Sequence, residues 1–204
     1  MGGGASLTAP EGGLVAAVLA GGQSRRMGRD KSLIPVEGVP MIERVVRALR
    51  PAVERIIIIA NGDLSRFEFL GLPVYPDLIP GMGPLSGLYT AFERTGADEV
   101  LLAACDMPWI SETTARLIAG RRKLPGEAVI PRVGGREQGL FALYRRRALE
   151  KFHERVLRAD IQFDEFRRGL DRIYIEEEEF LKAGAPLAAF ENVNSPEDLN
   201  SAKR

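Results

Sequence analysis

The sequence predicts an α/β fold, a single domain with a doubly wound, mostly parallel sheet and helices on both faces. Three observations carry that prediction. Continuous apolar runs of strand length recur along the chain, amphipathic helical stretches separate them, and segments rich in glycine, proline and aspartate follow the apolar runs. The 204 residues, 45% of them hydrophobic, suffice for one sizeable core, and no internal repeat or long linker divides them.

The opening residues 1–13, "MGGGASLTAPEGG", are rich in Gly and small polar residues and read as a disordered tail, which leaves residues 14–204 as the domain. Within the domain, "LVAAVLA" (14–20), "RIIIIA" (55–60), "EVLLAAC" (99–105) and "GLFALY" (139–144) lack the alternation of a half-exposed strand. Such runs suit strands buried on both faces of a parallel sheet. Between them, Met41, Ile42, Val45, Val46 and Leu49 form one helical stripe, and Leu85, Leu88, Tyr89 and Phe92 form another. Further helices are expected to start at Ser111, near Arg145 running to about Leu157, and at Ser195, where Pro196 and following acids suit a first turn. Ligands of such sheets lie beyond the carboxyl ends of the strands.

Twenty-eight Lys and Arg balance 28 Asp and Glu, so no global field draws nucleic acid or an anionic membrane, and any anion site is local. A single cysteine, Cys105, forms no internal disulfide, and the single histidine, His153, supplies no histidine cage. The run from Leu14 to Ala20 is too short for a membrane span and lacks the basic lead of a signal peptide. A cytoplasmic protein is expected.

The stretch "LAGGQSRRMGRDK" (19–31) places Gly21, Gly22 and Gly28 just past the first strand. Glycine permits turns in which successive N–H groups face an anion, and Arg26 and Lys31 would add charge suited to a triphosphate. No glycine directly precedes Lys31 as a P-loop requires, and adjacent Gly21 and Gly22 do not make the G-x-G of a dinucleotide fingerprint. A glycine-rich turn with solvated arginines is the other reading.

Past the third strand, in "LLAACDMPWI", Asp106 stands where a carboxylate can hold a divalent cation, and Mg²⁺ needs only one or two carboxylates beside phosphate oxygens and water. Capping of the helix near Ser111 is its alternative use. In "YPDLIPGMGPLSGLYTAF", Asp77 precedes a Pro/Gly turn, and Gly87 on the following helix is read as leaving room for a ligand. A carboxylate there can accept from the ring N–H and exocyclic amine of guanine; a plain chain reversal is the competing reading. Near the end, "FENVNSPEDL" offers Asn192 and Asn194, either as turn residues or, for Asn194, as a carbonyl donor to a metal.

Taken together, "LAGGQSRRMGRDK", "PDLIPGMGPLSGLYTAF", "CDMPWI" and "FENVNSPEDL", in that order, resemble the signature blocks of the molybdenum cofactor guanylyltransferases, within the nucleotidyltransferase superfamily. The first matches the pattern L-A-G-G-x-S-x-R-M-G-x-D-K at every fixed position, and the resemblance spans about Leu14 to Leu199. It implies a Rossmann-like nucleotidyltransferase fold that uses GTP and Mg²⁺ to attach GMP to the terminal phosphate of molybdenum-molybdopterin, with release of pyrophosphate. It further implies that Leu19, Ala20, Gly21, Gly22, Lys31, Asn61, Asp77 and Asp106 contact GTP. Arg26, Lys31 and Asp106 would be catalytic, and Asp106 and Asn194 would hold Mg²⁺. Molybdopterin is the implied second substrate, with transient contacts to molybdenum-insertion proteins or molybdoenzyme chaperones. The chain departs from the family in having Gly139 where Pro is commoner and Ser195 where Thr is usual. The stretch "PRVGGRE" (131–137) offers few side chains assignable to the pterin.

Four features are set aside: His153 on a charged helix, Cys105 as strand packing, "EEEE" (176–179) as a helix's acidic first turn, and Arg145 to Arg147 as a solvated helix start rather than an anion clamp. The rival activities are transfer from CTP to the same pterin, activation of a sugar phosphate or phospholactate, and a non-catalytic GTP-binding subunit that delivers cofactor.

Overall fold

The computed structural model of the chain describes residues 13–21, 30–194 and 198. Strand β1 (Val15–Leu19) lies central in an eight-stranded sheet. A short hairpin of β2 (Pro35–Val36) and β3 (Val39–Pro40) leads into helix α1 (Met41–Leu49). Then come β4 (Arg55–Ile59), β5 (Val74–Tyr75), α2 (Pro84–Thr95), β6 (Glu99–Ala104) and α3 (Glu112–Ala119). The second half holds β7 (Ala128–Val133), β8 (Arg136–Glu137), β9 (Phe141–Arg145), α4 (Arg146–Glu150), α5 (His153–Leu157), α6 (Phe163–Arg168), β10 (Arg172–Glu176) and α7 (Glu177–Lys182).

Strand order is β10-β7-β9-β6-β1-β4-β5, with β8 paired to β7. The pairs β1–β4, β1–β6, β4–β5 and β7–β10 are parallel, whereas β9 is antiparallel to both β6 and β7. The doubly wound, mostly parallel arrangement is the expected one. The run at 139–144 differs: it is a reversed strand, because the short β7–β8 turn returns the chain alongside without a crossover helix. Its continuous apolar character reports burial on both faces and carries no information on direction.

Both faces are indeed covered. Ala16, Val18, Ile56, Ile58, Leu101 and Ala103 pack under α1 and α3 with Ile42, Leu49 and Ile118. Val15, Ala17, Ile57, Ile59, Val100 and Leu102 face Leu85, Leu88 and Phe92 of α2. The stripe of Met41, Ile42, Val45, Val46 and Leu49 is wholly buried on α1, as its spacing requires. Ser111 caps α3, its Oγ accepting from Thr114 N at 3.1 Å. Glu176 and Glu179 form a capping box at the start of α7, which places the acidic run where the helix dipole favours it.

Two expectations change. The helix expected from Arg145 to Leu157 is two short helices, α4 and α5, since Phe152 leaves the helical region (φ −117°, ψ 13°) and turns its ring edge-on to Phe166. The arginine triplet is not a solvated helix start. Arg145 is buried and donates to Glu99 Oε1, Gly126 O and Arg122 O, Arg146 donates to Ala97 O and Phe92 O, and Arg147 donates to Gly126 O. These guanidiniums satisfy carbonyls at loop ends rather than meeting a substrate. The helix expected at Ser195 lies outside the described residues apart from Asp198, which is helical.

Phe141 on β9 is fully buried and touches the ring of Phe190 at 5.9 Å between centroids. Phe141→Ala leaves a cavity under the sheet and is expected to lower unfolding free energy by about 3–5 kcal/mol, read from urea denaturation.

Candidate functional site

Parallel strands end together, and a chain of backbone hydrogen bonds past their ends holds the following loops side by side. Ala60 N donates to Tyr75 O (3.0 Å), Ala20 N to Ile59 O (2.8 Å), Cys105 N to Leu19 O (3.0 Å) and Val193 N to Asp106 O (2.8 Å). Segments 20–21, 60–61, 75–77, 105–106 and 193–194 thereby meet at one edge.

At that edge the Lys31 ammonium donates to Asp106 Oδ2 and to Asn194 Oδ1, each at 2.9 Å. The other carboxylate oxygen, Asp106 Oδ1, is buried and has no hydrogen-bond partner among the described residues. Lys31 is placed by its neighbour: Asp30 Oδ1 accepts from Ser32 N (3.0 Å) and Ser32 Oγ (2.6 Å), which caps the 3₁₀ turn Lys31–Leu33. Asp30 Oδ2 forms an ion pair with Arg66 Nε at 2.6 Å, at an angle outside hydrogen-bond geometry, and Arg66 Nη2 donates to Asn61 O (3.1 Å).

Asn61 and Asp77 interlock. Asn61 Nδ2 donates to Asp77 Oδ2 at 2.7 Å, and Asp77 N donates to Asn61 Oδ1 at 3.1 Å. A Cβ on Gly21 would lie 3.8 Å from Asn61 Nδ2, so Gly21 itself lies directly beside this pair. The turn between Asp77 and α2 needs its glycines, since Gly81 (φ 92°) and Gly83 (φ 56°) adopt left-handed backbone. Gly87 serves differently from the expected ligand gap. A Cβ there would meet Leu19 Cδ2 at 2.3 Å, so its bareness admits the side chain of Leu19 from β1. Leu19 and Ala20 are thus tied into the sheet, with Leu19 O and Ala20 N committed to Cys105 and Ile59.

Of the expected site residues, Lys31, Asp106 and Asn194 form one cluster and Gly21, Asn61 and Asp77 its neighbour, while Leu19 and Ala20 form the strand end beneath. Gly22, Gly28 and Arg26 lie outside the described residues. Among the described residues no group of three or more His, Cys, Asp or Glu gathers as a metal cage, and His153 heads the exposed α5. The donor set around Asp106 still fits a hard cation completed by substrate: a carboxylate with a buried, unpartnered oxygen, an amide oxygen converging on the same point, and an ammonium there that a cation could displace. Cys105 adjoins this carboxylate. Burial first, and the Asp106 charge second, push its thiol up to about 12.

Sequence reasoning missed a cavity of about 420 Å³ beside this cluster, lined by Met107 and Asn192 together with Glu137, Gln138, Phe163 and Arg167. Its walls come from five separate stretches, and although Pro84, Met107 and Asn192 lay in recognisable blocks, residues 137–140 and 162–167 did not.

The comparisons with known proteins bear on family and fold. Residues 16–173 match the family model described as MobA-like NTP transferase domain. A probable molybdenum cofactor guanylyltransferase of Pelotomaculum thermopropionicum is 37% identical over 187 residues, covering 91% of this chain and 90% of that one. The molybdenum cofactor guanylyltransferase of Rhodobacter capsulatus is 36% identical over 198 residues, covering 91% and 93%. A crystal structure of molybdopterin-guanine dinucleotide biosynthesis protein A from Archaeoglobus fulgidus superposes with a TM-score of 0.77 at 25% identity, covering 92% and 96%. No helix among the described residues is long and apolar enough to cross a membrane.

The thiol shift is open to direct test. Because the thiolate is the reacting species, iodoacetamide at pH about 8.5 should alkylate Cys105 in the folded protein ~100-fold or more slowly than in urea, as followed by mass spectrometry.

Proposed function

The chain belongs to the molybdenum cofactor guanylyltransferase family, and from that premise we propose that it transfers GMP from GTP to the terminal phosphate of molybdenum-molybdopterin, giving the guanine dinucleotide cofactor and pyrophosphate. The reading is supported above all by the convergence of Lys31, Asp106 and Asn194 beyond the carboxyl ends of the parallel strands. An oxygen of the pterin's terminal phosphate forms a bond to the α-phosphorus of GTP as the bond to the pyrophosphate oxygen breaks. Both partners are anions, so repulsion is the main obstacle and catalysis is mostly positioning and charge neutralisation. The attacking phosphate is already ionised near neutral pH, so no general base is required.

Within that reaction Lys31 leaves Asp106 for the nucleotide's phosphates, joined by Arg26 and by loop amides at Gly21 and Gly22. Leu19 and Ala20 form the floor under the nucleotide. The Asn61–Asp77 pair faces the base, with Asp77 accepting from the guanine N–H and exocyclic amine. Asp106 and Asn194 would hold Mg²⁺, which supplies charge neutralisation on the phosphate oxygens when bound. The activity belongs to the cytoplasm, where the pterin is handed on by other molybdenum-handling proteins.

Two substitutions test these roles. Asp106→Ala should lower GMP transfer by about 100-fold or more with the melting temperature little changed, because it removes a charge clamp of several kcal/mol. Measured as pyrophosphate release, near-normal Mg²⁺-dependent turnover would refute the assignment. Asp77→Ala should reduce the preference for GTP over ATP about tenfold or more in competition assays, since a site that pairs with a donor edge rejects bases lacking it; an unaltered ratio would move recognition to other groups.

A further inference from the structure

The cavity next to Asp106 has a chemistry of its own. Its two carboxylates are unequal. Glu137 is fully spent: Oε2 accepts from Arg167 Nη1 (2.7 Å), while Oε1 accepts from Arg172 Nη1 (2.7 Å) and Tyr174 Oη (2.6 Å). Asp164 commits Oδ1 to Arg167 Nη2 at 2.7 Å, and its side chain is 70% exposed at the cavity rim.

Arg167, which lines the cavity, pairs with these two carboxylates through Nη1 and Nη2, leaves its buried Nε without a hydrogen-bond partner among the described residues, and lies over the Phe163 ring, 5.5 Å from its centroid. Its position depends on Gly139, where a Cβ would meet Arg167 Cδ at 2.5 Å and Nε at 2.7 Å. The proline commoner at this position in the family would displace it. With the charge balanced in this way, this wall of the cavity offers the Arg167 Nε donor to a neutral acceptor rather than net positive charge to a phosphate. The phosphate of an acceptor therefore belongs at the Lys31–Asp106 end, and what enters the cavity is the uncharged part of the molecule.

The walls suit a flat heterocycle. Met107, Leu140 and Phe163 supply apolar faces and Gln138 and Gln162 supply amides. We infer that this cavity receives the acceptor's 2-amino-4-oxopyrimidine ring system, with the Asp164 carboxylate, braced by Arg167, accepting from the ring N–H and the exocyclic amine and so setting specificity for a pterin. Arg167 holds the Asp164 carboxyl below the usual carboxylate range, which keeps it a pure acceptor near neutral pH. Arg167 is here a positioning residue and Asp164 a specificity residue. The inference rests on the transferase reading above, which names a pterin as acceptor.

Its test compares two fluorescent probes, 6-hydroxymethylpterin and 6-hydroxymethyl-lumazine, which carries a carbonyl in place of the exocyclic amine, titrated with the full chain in the presence of GTP. The wild type should bind the pterin about tenfold or more tightly than the lumazine. In Asp164→Ala, and likewise in Asp164→Asn, that preference should collapse to near unity with GTP affinity unchanged; a merely structural role would weaken both probes together. Equal binding of the two probes by the wild type, undiminished preference in the variants, or no pterin binding at all overturns the inference. GMP transfer to molybdopterin is assayed in parallel. Transfer without probe discrimination sinks the role of Asp164 alone, whereas discrimination without transfer sinks the transferase reading alone.

Discussion

An ammonium shared between a carboxylate and an amide is the contact on which this molecule's working end depends. Lys31, Asp106 and Asn194 stand 75 and 163 residues apart along the chain, yet each contact is 2.9 Å. Asp106 is mostly covered by the sheet's edge, and a carboxylate in that position is costly without a cation beside it. Lys31 supplies that charge from the end of a flexible stem, anchored by its second contact to Asn194.

That contact is available because of register. In a parallel sheet, neighbouring strands deliver their carboxyl ends to one edge, and here the hydrogen bonds continue one residue beyond the ladders on β4, β1 and β6. The reversed strand β9 does a second job. By running against β6 and β7 it brings the β8–β9 connection, residues 138–140, to the same edge, and these residues become a wall of the cavity beside Asp106. A parallel strand there would have sent that connection to the far end of the sheet.

Much of this was legible in the residues and some was not, for physical reasons. The runs at 14–20, 55–60 and 99–105 announce strands because both faces are covered, and the α1 stripe announces its helix because its period matches its burial. β7 escaped because Pro131 interrupts it, but the proline lies beyond its two-residue ladder with β9 at Ala128 and Val129, where a missing N–H breaks no bond to that strand. β5 has two residues, too few for any period. The Lys31 and Asp106 loops carried recognisable chemistry, so their meeting was anticipated. Gly87 was misread because a bare position signals a close approach without saying by what; the partner is Leu19, contributed by another element. The arginines at 145–147 were misread for a similar reason, since their partners are backbone carbonyls, which leave no trace in a side-chain pattern.

Cys105 gives the site a further property. Sulfur beside a carboxylate makes a mixed donor pair that thiophilic ions such as Cu(I) or Cd²⁺ seize in preference to magnesium, and such capture is strong only for the deprotonated sulfur. Desolvation and the neighbouring Asp106 charge raise the Cys105 thiol to about 12, so near neutral pH the sulfur keeps its proton and is a poor ligand for such ions.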